Sequence, residues 1–78
     1  NMKAGQSKFN VGDKVKITGF TGNDAIYNGL EGEVTHPFAT GCTDKGWIGL
    51  RLEEYTVYGY QINAHQGEVE KIEADITA

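Results

Sequence analysis

The side chains able to do chemistry are few and widely spaced. Cys42, His36 and His65 are the only thiol and imidazole groups, so a nucleophilic Cys/His pair or a metal site would have to be built from them. They fall into no CxxC, HExxH or paired-His spacing, and a closed zinc site would need a carboxylate such as Asp44 recruited from a loop. Cys42 sits among Gly, Thr and Asp with Lys45 as its one nearby cation, which reads as an ordinary thiol, since activation needs a local positive field. Glu31 and Glu33 lie two residues apart and project to one side of a strand, as a catalytic carboxylate pair would. Both alternate with apolar residues, so they read as a solvent face. Glu53-Glu54 reads as a polar turn, and no GxGxxG or Walker pattern cradles a phosphate. The residues therefore nominate no catalytic group, no metal ligand and no cofactor. Assembly of a site across subunits is the remaining route to an enzyme.

Aromatic side chains are the richer signal. Eight rings (Phe9, Phe20, Tyr27, Phe38, Trp47, Tyr55, Tyr58 and Tyr60) compete for space with ten aliphatic residues, too many for the interior of a chain of 78 residues. Trp47 is out of phase with Ile48, Leu50 and Leu52, and several tyrosines flank loops. Rings of this kind concentrate at interfaces because they bury large areas with few rotors. The expected partner-binding set is Phe20, Tyr27, Phe38, Trp47, Tyr55, Tyr58 and Tyr60. A rim of Asp24, Asp44, Glu53 and Glu54 would favour a basic protein partner.

These residues must be held by short strands. In Val11 to Thr18 the apolar residues alternate behind a Gly12-Asp13 turn, and Leu30 to His36 alternates again until Pro37 ends it. Gly19 to Gly29 reads as a long loop folded over the sheet, pinned by its aromatics, and Ala39 to Gly46 as a second loop. Trp47 to Leu52 is the clearest strand. Glu53 to Thr56 is expected to turn the chain, and Val57 to Asn63 to return as a hairpin. Ala64 to Gly67 suits a single helical turn, after which Val69 and Ile72 close the sheet. Glycines 32, 49 and 59 are expected to bend strands. The expected fold is all-β, a small five-stranded antiparallel barrel over residues 9–73, with residues 1–8 a flexible lead-in and 74–78 a polar tail.

Charge and cysteine usage narrow the partners. Of the 7 basic and 11 acidic residues, positions 1–39 hold four of each, whereas positions 40–78 hold three basic and seven acidic. A phosphate backbone is repelled by that half, which disfavours nucleic acid. Lys8, Lys14 and Lys16 are the candidates for an RNA contact. A single cysteine without an apolar signal core points to the cytoplasm, and no run of about 18 apolar residues offers a membrane span.

Gly12-Asp13-Lys14-Val15-Lys16-Ile17-Thr18-Gly19, followed by Gly29-Leu30-Glu31-Gly32-Glu33-Val34, resembles the KOW-type signature of SH3-like barrels: Gly-Asp, alternating aliphatics, then Gly-x-x-Gly-x-Val. The resemblance covers about residues 11–34 and implies an SH3-like barrel contacting RNA or a protein through its loops. Here the intervening loop is long and carries Asp24 and no basic residue. Tyr60-Gln61-Ile62-Asn63 is similar to the Val-Gln-Ile-Tyr segment of the plasmid-borne type II dihydrofolate reductases. That likeness implies a homo-oligomeric pore lined by Gln61 and Ile62 around a planar ligand, with Asn63 replacing that family's tyrosine and Ile17 its functional lysine. Gly46 to Glu54 also resembles a run in CAP-Gly domains, without their Gly-Lys-Asn-Asp-Gly motif. Three expectations follow: a non-enzymatic module docking a protein partner or its own copy, a pore enzyme or ligand binder, and an RNA- or ribosome-associated module.

Overall fold

The computed structural model describes residues 9–38 and 46–72. Five strands form: β1 (Lys14–Ile17), β2 (Glu31–His36), β3 (Trp47–Thr56), β4 (Gly59–His65) and β5 (Val69–Lys71). They make one antiparallel sheet in the order β4-β3-β2-β1-β5. The domain is all-β, as alternation in the sequence requires.

Register converts that alternation into two faces. Val15 pairs with Gly32, Val34 with Leu50, Leu50 with Ile62 and Ile17 with Val69, so the apolar phase of every strand meets its neighbour's. Val15, Ile17, Val34, Ile48 and Leu50 are wholly buried, and Phe9, Tyr27, Leu52, Ala64 and Val69 complete the core. On the opposite face Lys14, Glu33, Arg51 and Gln61 stand in one row across four strands. Gly32 lies close against β3: a Cβ there would lie 2.7 Å from the Arg51 carbonyl oxygen, so only glycine fits.

The Gly12-Asp13 turn is tied at both ends. Asp13 N–H donates to the Asn10 carbonyl at 3.0 Å, Asp13 Oδ2 accepts from Asn10 N–H at 2.9 Å, and Gly12 N–H reaches the Val34 carbonyl at 2.8 Å. The long loop between β1 and β2 contains a 3-10 helix, η1 (Gly22–Tyr27). Its neck is closed by Asn28, whose side chain accepts from Phe20 N–H at 2.9 Å and donates to the Phe20 carbonyl at 3.0 Å. Tyr27 anchors the loop in the core, and Phe20 packs against it.

Three expectations are corrected. The sheet does not close, because no ladder joins β4 to β5. Only η2 (Gln66–Glu68), one 3-10 turn, separates those strands. It delivers the three-residue β5 directly to β1. Secondly, Glu53 to Thr56 is strand, not turn: β3 continues to Thr56 and the hairpin bends at Val57-Tyr58. Thirdly, Gly59 does not bend a strand but ends that turn at φ +84°. Val57 and Tyr58 keep negative φ, so the left-handed residue a three-residue hairpin needs must follow them.

Candidate functional site

The open side of the sheet creates the site. An edge strand lies next to whatever loop covers it, and here β4 lies beside the β1–β2 loop with a groove of about 470 Å³ between them. One wall is Gln61, Ile62 and Asn63 of β4; the other is Phe20, Thr21 and Asp24 of the loop. Tyr58, Trp47 and Glu68 complete the lining. The volume falls within the ~300–1,000 Å³ range of small-ligand pockets.

Each wall is positioned by a local interaction. Tyr58 leaves the β3–β4 turn, sets its ring edge-on to the buried Tyr27 with centroids 6.0 Å apart, and donates its hydroxyl proton to Asp24 Oδ1 at 3.1 Å. That hydrogen bond to a carboxylate, reinforced by its negative charge, holds the Tyr58 phenol above its ordinary pKa. Trp47 meets the His65 ring edge-on at 5.6 Å. Glu68 is fixed by a capping box: Glu68 Oε1 accepts from His65 N–H at 2.8 Å, while His65 Nδ1 accepts from Gly67 N–H at 3.3 Å. The Gln61 side chain donates to Thr35 Oγ1 at 2.8 Å.

The electrostatics have one sign. Among the described residues, Asp24 and Glu68 are the charged members of the lining, and no cationic side chain accompanies them. Three of the described cations are engaged elsewhere. Lys14 pairs with Glu33 at 3.1 Å, Lys71 with Asp13 at 3.4 Å, and the Arg51 guanidinium lies 5.0 Å from the Tyr60 ring centroid. Lys14, Glu33, Arg51 and Tyr60 border a shallower hollow of about 360 Å³ on the outer face.

The structure divides the aromatic set expected from sequence. Phe20, Trp47 and Tyr58 line the groove. Tyr27, expected at the surface, is buried beneath Tyr58, because η1 needs an apolar anchor to stay on the sheet. Tyr55 and Tyr60 pair with each other at 5.3 Å on the far part of the hairpin, and Phe38 is exposed without lining the groove. Gln61 and Ile62, expected around an inter-subunit pore, sit in a groove of their own chain. Of the expected acidic rim, Asp24 is in place, Glu53 and Glu54 are exposed on β3, and Asp44 lies outside the described residues, as do Cys42, Lys45 and Lys8. Lys16 stands opposite Glu31 on one side and Glu70 on the other. Glu68 was missed by sequence reasoning. Its signal is a glutamate three positions after His65, the spacing of a capping box with histidine in the place of serine or threonine.

Among the described residues no group of three or more His, Cys, Asp or Glu is placed to hold a metal ion, and no helix is long and apolar enough to cross a membrane. No protein-family model, curated protein or solved structure matches the chain.

Proposed function

We propose that the protein is a non-enzymatic binding module whose groove beside β4 takes a short basic segment of a protein partner. The observation carrying this is the lining itself: rings of Phe20, Trp47 and Tyr58 together with the carboxylates of Asp24 and Glu68, and no cation among the described residues. Rings supply area and the acids select charge. A net charge of −4 draws a cationic segment from a distance and makes its association faster at low salt. Five short antiparallel strands support reading the fold as an SH3-like small barrel left open on one side. The shared hydrogen bonds of Asp24 and Glu68 hold the groove's walls before a ligand arrives, which lowers the entropy lost on binding.

Selection of random displayed peptides against the wild type and a folded Trp47→Ala variant tests this. Sequences rich in Lys or Arg with apolar neighbours are expected to be enriched by the wild type and lost with the variant. Identical enrichment by both proteins would overturn the reading.

A further inference from the structure

Among the described residues β4 is an edge strand, paired with β3 on one side and with no strand on the other. The ladder fixes which of its peptide groups turn outwards. Gln66 N–H donates to the Gly46 carbonyl at 2.9 Å, so residues 46 and 66 form a hydrogen-bonded pair. Alternation along the register Trp47↔His65, Ile48↔Ala64, Gly49↔Asn63, Leu50↔Ile62, Arg51↔Gln61 then makes Ala64 and Ile62 face β3. His65, Asn63 and Gln61 turn their amides and carbonyls away from it. The His65 amide bears this out, since its outward N–H is taken by the Glu68 carboxylate. Gln61, Ile62 and Asn63 are consecutive, and consecutive strand residues send side chains to opposite faces. A groove that touches all three therefore runs along the strand's edge, not over one face.

We propose that the groove holds its ligand as an added sixth strand, an extended basic segment of a partner protein that pairs with the outward peptide group of Gln61. This rests on the groove reading above and specifies how the segment is held. Strand addition supplies affinity through main-chain hydrogen bonds and selectivity through alternate side chains. One set of the incoming side chains meets Phe20 and Ile62, both packed against the core, and the other set is left for the carboxylates of Asp24 and Glu68. The Glu68 cap on His65 closes the edge at that end, so pairing is confined to a few residues. A second copy of this chain fits less well than a basic segment. Antiparallel pairing of two β4 edges would bring the Asp24 and Glu68 carboxylates of both copies together.

The test uses a capped hexapeptide of alternating lysine and valine, and two analogues with one backbone N-methyl group each, placed on adjacent central residues. Affinity is read from the fluorescence of Trp47, the single tryptophan, and pairing from amide hydrogen exchange at Gln61. Adjacent N-methyl groups point to opposite edges of a strand. One analogue is therefore expected to bind about tenfold more weakly than the parent and the other equally well, with exchange at Gln61 slowed by the parent. Equal binding by all three with unchanged exchange at Gln61 would overturn strand pairing and leave the groove reading standing. No binding by the parent would overturn both. Exchange at Gln61 that slows with protein concentration alone would make a second copy the occupant, and overturn the partner segment.

Discussion

The Tyr58 hydroxyl donates to Asp24 Oδ1 at 3.1 Å across a sequence separation of 34, joining the β3–β4 turn to η1 at one end of the groove. Ionising the phenol would lose that hydrogen bond and place a second negative charge beside the carboxylate, so the Tyr58 pKa is raised. The folded value exceeds the unfolded one of about 10. The contact's contribution is therefore complete below about pH 10 and is lost as pH rises through the folded value. An ultraviolet titration is expected to show one tyrosine ionising later than in the unfolded chain, absent from Tyr58→Phe. Asp24→Asn, which keeps an acceptor and removes the charge, is expected to lower that transition. An unchanged titration in both variants would contradict the contact.

Leu50 sits at the centre of the stacked registers, wholly buried between Val34 and Ile62. Leu50→Ala removes its contacts and leaves a cavity, costing about 2–5 kcal/mol. A domain of this size has a total stability on the order of 4–12 kcal/mol, so the loss is a large fraction of the total and the urea midpoint is expected to fall steeply. Val57, 83% exposed in the hairpin turn, is the control. Val57→Ala is expected to shift stability by no more than about 0.5 kcal/mol in urea denaturation.

Alternation in Val15/Ile17 and in Ile48/Leu50/Leu52 made the buried faces legible, because in a thin sheet every second residue has nowhere else to go. The far end of β3 was not legible. Glu53, Glu54 and Tyr55 are all exposed, so the pattern there has no apolar phase. The strand continues because the Thr56–Gly59 turn sets where the hairpin ends. Trp47 and Asp24 could be singled out by residue type. Their meeting in one groove could not, because it depends on β5 pairing with β1 and leaving β4 as an edge. Tyr27 carried the same sequence signal as Tyr58, and only the path of η1 buries one and exposes the other.

That hairpin end depends on one buried hydroxyl. Thr56 Oγ1 donates to the Gly59 carbonyl at 2.7 Å and accepts from Tyr58 N–H at 3.0 Å. Thr56→Val keeps the shape and strands both partners, for an expected loss of about 1–3 kcal/mol. Thr56→Ser, which keeps the hydroxyl, is expected to lose less. Equal losses for the two variants in denaturant titrations would assign Thr56 a packing role instead.

The opposite end of the groove is set by Glu68, which does two separable things. Its carboxylate closes the outward amide of His65, and its charge faces the groove. Glu68→Ala removes both, with an expected cost of about 1 kcal/mol and faster hydrogen exchange at the His65 amide. Glu68→Gln keeps an acceptor for that amide and removes only the charge. It is expected to hold stability and exchange near wild type while weakening a cationic peptide and flattening its dependence on salt. If both variants lost affinity equally without slowing or speeding exchange at His65, the cap would not be shaping the groove, and the charge alone would account for Glu68.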